Sequence, residues 1–218
     1  MSTSMMKTKL SLKPLLGLAL LLLLNACSLP TRPAVEPESW LVAPQRAGTP
    51  FKPRTDIWLK MGAVAVTPPF DGKSLVYRLG DQRYVKDFYN VYSVLPNQMV
   101  ANATRQWVNN ANIFAMTVGE GNSFFPYYTL QASVEEFYGD YRVRPEAVVT
   151  VEFFLTATNG AKTNPIIGVN RYSKRVTLRD NSPAALVLGQ QEALAEILKQ
   201  YEVDLYKYTA HLPPPMGS

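Results

Sequence analysis

The sequence predicts an α+β domain: a mainly antiparallel sheet with two amphipathic helices packed on one face, preceded by a signal peptide and a proline-rich tether. Three observations carry this expectation. Val100, Ala103, Trp107 and Ala111 recur at three- and four-residue spacing, and Leu194, Leu198, Tyr201, Leu205 and Tyr208 do so again near the end. Each set puts a single apolar stripe on a helix. Before and between the two sets lie β-branched and aromatic runs punctuated by Gly, Pro, Asn and Asp, the pattern of strands joined by turns. At 47% apolar and 18% charged residues, a chain of 218 can fill one core, and two helices over one sheet make a two-layer domain.

In chain order, Lys7, Lys9 and Lys13 precede a leucine-rich run from Leu15 to Leu24, and small residues follow. A positive stretch, a short apolar stretch and a small-residue cut site read as a signal peptide over residues 1–26, removed on export. As a helix the run rises about 15 Å, roughly half the ~30 Å hydrocarbon core, which makes it a poor membrane span. Its removal takes three lysines and lowers the formal charge from +5 to +2, so overall basicity is no argument for nucleic acid. Leu24-Asn25-Ala26-Cys27 resembles a bacterial lipobox, in which the cut falls before the cysteine and lipid joins its sulfur. Cys27 is the only cysteine, and an exported domain with one thiol has no internal disulfide partner. S-diacylglycerol and an N-acyl chain on Cys27 would hold the protein on a membrane without crossing it. An ordinary signal peptide with an incidental cysteine, or an uncleaved anchor, is the competing reading.

Residues 27–55 hold Pro30, Pro33, Pro37, Pro44, Pro50 and Pro53, which favours an extended tether. Trp40-Leu41-Val42 is the piece best suited to lie on the domain instead. The domain itself is expected over 56–210. Ile57–Val66 is almost wholly apolar before Pro68-Pro69 and reads as a buried first strand. Lys73–Leu79 and Arg83–Val94 flank a Gly80-Asp81 turn as a hairpin. Pro96-Asn97 opens the first helix, with Asn97 its expected cap and Asn109, Asn110 and Asn112 at its end. Phe114–Val118 is a short strand. Tyr127–Tyr138, Ala147–Thr158 and Ile166–Leu178 should form an antiparallel meander. Ser182 caps the closing helix and Pro183 suits its first position. Leu212-Pro213-Pro214-Pro215 stops it, leaving 211–218 as a disordered tail.

The inventory of chemistry is short. With Cys27 lipidated no thiol remains for catalysis or redox work, and the single histidine, His211, sits in the tail. Paired imidazoles for zinc are therefore absent from the sequence, and no cofactor is expected. Glu135 and Glu136 are adjacent on a strand, which points them to opposite faces and away from joint acid/base work. Gly119-Glu120-Gly121 lacks a following helix and reads as a turn rather than a phosphate cradle. Arg171, Lys174, Arg175 and Arg179 form the densest basic group. They read as one solvated strand face, with a phosphate or lipid head group as the alternative. Phe124-Phe125-Pro126-Tyr127-Tyr128 is either core or a docking surface. No catalytic residue emerges, and the chain is expected not to be an enzyme.

Val76-Tyr77-Arg78, the aromatic strand with Tyr84, Phe88, Tyr89 and Tyr92, and Pro96 followed by Gln98-Met99 carry a resemblance. Together with the lipobox, the tether and the closing helix, they are similar to the ABC-type transport auxiliary lipoproteins, the paraquat-inducible protein C-like outer-membrane group, over roughly 57–208. A tryptophan common before the P-x-Q-M segment is replaced here by Ser93-Val94-Leu95. The resemblance implies a docking role without catalysis in an ABC or MCE-domain system that moves lipid between membranes. The implied partners are the membrane itself, through the lipid, and MCE-domain or ABC transporter components. Ser28 after the cysteine fits sorting to the outer membrane, facing the periplasm. A lipid-binding carrier, a structural role in cell-envelope assembly, and homo-oligomerisation stay open.

Overall fold

The computed structural model describes residues 35–52, 57–121, 123, 126–157 and 166–212, and Pro37–Ser218 forms one compact unit. Its elements run β1 (Glu38–Trp40), β2 (Trp58–Val66), β3 (Ser74–Arg78), β4 (Tyr84–Tyr92), α1 (Pro96–Ala111), β5 (Met116–Val118), β6 (Tyr128–Asp140), β7 (Glu146–Ala157), β8 (Ile166–Thr177) and α2 (Pro183–Tyr208), closed by a 3-10 turn at Thr209–His211. The signal peptide, Cys27, Phe124, Phe125 and the tail beyond Leu212 lie outside the described residues.

The α+β class and the two helices stand, but the sheet is mixed rather than mainly antiparallel. Strands β6, β7 and β8 form the expected antiparallel meander, and β3–β4 the expected hairpin. The other four pairings are parallel: β1 with β4, β2 with β5, and both β2 and β3 with β6. The cause is connectivity. Between β2 and its partner β6 the chain builds a hairpin, α1 and β5, a crossover long enough to bring a strand back in the same direction. The edge of β6 opposite β7 is shared, with β2 along Tyr128–Val134 and β3 at Gly139–Asp140.

Strand β2 differs from expectation in a second way. Leu59, Met61 and Val64 are buried while Ala63 and Ala65 face out, so it is buried on one side only. Alternation slips at a register shift between Met61 and Val64, around Gly62. There a Cβ would meet Thr129 Cγ2 at 2.9 Å, so glycine permits the close approach to β6.

The core lies between the sheet and the helices. Val149, Val151, Phe153 and Leu155 of β7 meet Leu194, Ile197, Leu198 and Tyr201 of α2, all with at most 1% of their surface exposed. Phe153 and Tyr201 stack at 4.1 Å and 6°, a pair worth about 0.5–1.5 kcal/mol beyond area burial. Helix α1 buries Met99, Val100, Ala103, Trp107 and Val108. Its N-cap is Leu95, whose side chain makes no cap bond, so Asn97 is not the cap; Pro96 at the first helical position has no N–H, which leaves one orphan donor fewer at this end. At the other end Asn112 adopts φ 57°, as its place after the stripe suggested. Ser182 caps α2 as expected, its oxygen accepting from Ala185 N.

The expected tether is the third departure. Residues 37–52 lie on the domain as a strap. Trp40 ends a strand paired with β4, Val42 is 1% exposed, and Phe51 stacks on Tyr206 at 4.4 Å. Prolines remove donors without preventing a segment from burying the apolar residues between them.

Candidate functional site

Of the sequence-predicted site residues, Cys27 lies outside the described residues, and Glu135, Glu136 and the basic group have structural partners. Glu135 and Glu136 do not point to opposite faces. A bulge between Val134 and Glu136 turns both outward, Glu135 onto Arg171 at 2.7 Å and Glu136 onto the Thr150 hydroxyl. His211 ends the 3-10 turn at the surface, so this part of the expected tail is ordered. Tyr128 is fully buried in the core, and Tyr127 packs against it. Among the described residues no group of His, Cys, Asp and Glu could hold a metal ion.

The basic group splits instead of sharing one face. Arg171 and Arg175 alternate outward from β8, Lys174 points to α2 and pairs with Glu196, and Arg179 follows the strand. Arg175 binds Glu146 and Asp140, each at 2.7 Å. Asp140, its side chain 5% exposed, also takes Arg142 at 2.8 Å, and Arg142 reaches Asp81. The Arg142 hydrogen bond, with Arg175 beside it, holds the Asp140 carboxyl far below the usual carboxylate range. These cations neutralise carboxylates where β3, β6, β7 and β8 meet, which leaves them poorly suited to capture phosphate.

A buried ion pair fixes the strap. Arg46 binds Glu202 at 2.8 Å with both side chains under 10% exposed, and donates to Gly48 O and Thr49 O. Trp107 Nε1 adds a 2.7 Å bond to the same carboxylate. One residue of α2 thus joins strap and first helix.

The feature that sequence reasoning missed is on β4. Between its pairings Val76↔Lys86 and Ser74↔Val91, two steps on β3 face five on β4, so residues 87–90 bulge from the ladder. Asp87 organises the bulge. Its Oδ1 accepts from the N–H groups of Tyr89 and Asn90, and its Oδ2 from Tyr77 OH at 2.8 Å and Asn90 Nδ2. Burial works against the Asp87 anion, yet these donors prevail and hold its pKa below the ordinary value. Burial and the Asp87 bond together push Tyr77 well up, so it stays a donor. Neighbouring strand residues normally face opposite ways. Here Phe88 and Tyr89 are both in solvent, 81% and 55% exposed, their rings edge-to-face at 5.5 Å. Trp40 of β1 donates to Asn90 Oδ1 at 3.0 Å and ties the strap to the same network. The sequence signal was Asp87 within an aromatic strand, where aspartate is disfavoured.

The V-Y-R motif therefore has a structural account. Val76 is core, Tyr77 props the bulge, and Arg78 closes the hairpin turn onto Gly80 O and Asp81 O while lying over Tyr84. In P-x-Q-M, Pro96 starts α1 and Met99 enters the core, while Gln98 faces out. No helix among the described residues is long and apolar enough to cross a membrane.

A family model described as the ABC-type transport auxiliary lipoprotein component matches residues 40–201. The chain is similar in structure to a Xanthomonas campestris protein of the family DUF330, with TM-score 0.69 and 11% identity over 79% of this chain and 97% of that one. It is also similar to a second, uncharacterised protein, with TM-score 0.61 and 15% identity over 78% and 99%. At such identities the likeness shows the fold. Among curated proteins none matches.

Proposed function

Since the chain belongs to the ABC-type transport auxiliary lipoprotein family, we propose that it is held on the periplasmic side of the outer membrane through lipid on Cys27 and docks a trans-envelope ABC or MCE-type lipid transport system, without catalysis. The observation that carries this is the family match over residues 40–201, which runs from the last residue of β1 to Tyr201 within α2. Two structural features support docking over chemistry. The carboxylates of Glu135, Glu136, Asp140 and Glu202 are bonded to Arg171, Thr150, Arg142, Arg175 and Arg46. The space between sheet and helices is filled by Phe153, Tyr201, Leu194 and Ile197, which favours docking over a lipid carrier with its pocket there.

Affinity capture of the tagged protein from cell envelopes tests the reading. MCE-domain or ABC transporter components should be recovered, and recovery of peptidoglycan-synthesis proteins alone would sink it. The lipid on Cys27 is tested separately: Cys27→Ala should abolish labelling by a fatty-acid analogue, and persistent labelling contradicts the site.

A further inference from the structure

Asp87 and Asn90 of the bulge serve the fold, but the two rings between them project into solvent. Phe88 has 81% of its surface in solvent, while four donors on Asp87 hold the backbone that presents it. Its position along the chain indicates what it meets. Strand β1 runs parallel to β4 in the register Glu38↔Asn90, Ser39↔Val91 and Trp40↔Tyr92. The chain therefore enters the folded unit at Pro37–Glu38 directly beside the bulge. Cys27 precedes Glu38 by eleven residues, and however these are arranged they span at most about 40 Å. A lipid on Cys27 keeps the bulge within that distance of the bilayer, where even a weak surface contact is favoured by high effective concentration. A phenyl and a phenol side by side suit the interfacial layer, where one ring can enter the acyl boundary and the hydroxyl can remain among head groups. Lys86 is exposed on the same strand, and a cation there suits an anionic leaflet.

We propose that Phe88 and Tyr89 are a membrane-surface contact, seating this end of the domain in the interfacial layer of the bilayer that holds Cys27. The proposal rests on lipidation of Cys27.

The test uses the lipidated protein reconstituted on vesicles of phosphatidylethanolamine and phosphatidylglycerol, some brominated in their acyl chains. Because Cys27 is the only cysteine and its sulfur is blocked by lipid, Phe88→Cys offers a single site for a polarity-sensitive fluorophore. Val143→Cys, at a residue 92% exposed in the β6–β7 loop, is the control. The label at 88 should shift to the blue and lose at least half its emission to the brominated lipid, while that at 143 changes little. An aqueous, unquenched label at 88 on protein that floats with the vesicles overturns the contact and leaves the anchor standing. A blue-shifted label without bromine quenching also overturns it, in favour of a protein surface such as a second copy. Failure to float overturns the anchor, and the contact with it.

Discussion

Trp107 donates its indole N–H to Glu202 Oε2 at 2.7 Å across the seam between the two helices, and the same oxygen receives Arg46 Nε from the strap. An aromatic residue that the helical spacing places in the core thus has a charged partner, and three distant segments share one carboxylate. Removing one member of a buried pair strands the other charge, at a cost of about 3–5 kcal/mol. Glu202→Ala should lower stability in urea by about that amount and open residues 37–52 to protease. Arg46→Met combined with Glu202→Met should lose much less than the single changes summed. Simple additivity would show that the pair is not coupled.

Gly48 sits in the strap turn at φ 111°, with Arg46 reaching its carbonyl at 2.9 Å. No atom lies near an added Cβ, so only backbone strain opposes a side chain there. Gly48→Ala should therefore cost about 1–2 kcal/mol in equilibrium unfolding. A neutral or stabilising result would mean that the turn takes another conformation.

Helix α2 approaches the sheet closely at Gly189, where a Cβ would lie 2.9 Å from Ala147 Cβ and still nearer Leu178 Cδ2. Helix propensity alone favours Gly189→Ala by about 1 kcal/mol. Overpacking opposes it by about 1–3 kcal/mol. Ala147 is 0% exposed on a central strand and cannot retreat, so the steric effect should win and the midpoint of urea unfolding should fall.

Acid should weaken the fold through Asp140 and Asp87, whose folded pKa values both lie below their ordinary ones. Such groups contribute stability that is complete above the unfolded value of about 3.9 and is lost as pH falls through it toward the folded value. The urea midpoint should drop between pH 6 and pH 3. Asp140→Asn should lower stability at pH 6 and make the pH 6 to pH 3 decline shallower. An unchanged slope in that variant would separate the Arg142–Asp140–Arg175 network from acid sensitivity.

Much of the fold is legible in the residues. The stripes of α1 and α2, the cap Ser182 and the meander of β6, β7 and β8 each follow a local period or cap signal that the tertiary structure preserves. Strand direction is not local. The apolar residues of β2 suit either a parallel or an antiparallel neighbour, and only the crossover through α1 and β5 decides. The strap was hidden by its prolines, although Trp40 and Val42 were its visible anchors. On the candidate surface, Phe88 and Tyr89 read as ordinary alternating strand residues, because a bulge is stated by its hydrogen bonds to Asp87 rather than by apolar period.

The divided edge of β6 sets an order of events while the chain emerges from a ribosome. Strand β2 finishes at Val66, yet its parallel neighbour begins at Tyr128 and the short β5 ends only at Val118. For some fifty residues of further growth, Leu59, Met61 and Val64 have no strand beside them, and non-local pairing of this kind is slow and prone to aggregation. The β3–β4 hairpin, by contrast, can close on its own sequence at once. A nascent chain of this protein therefore passes through a stage with one hairpin closed and one sticky strand open, the stage at which a holding chaperone has most to do.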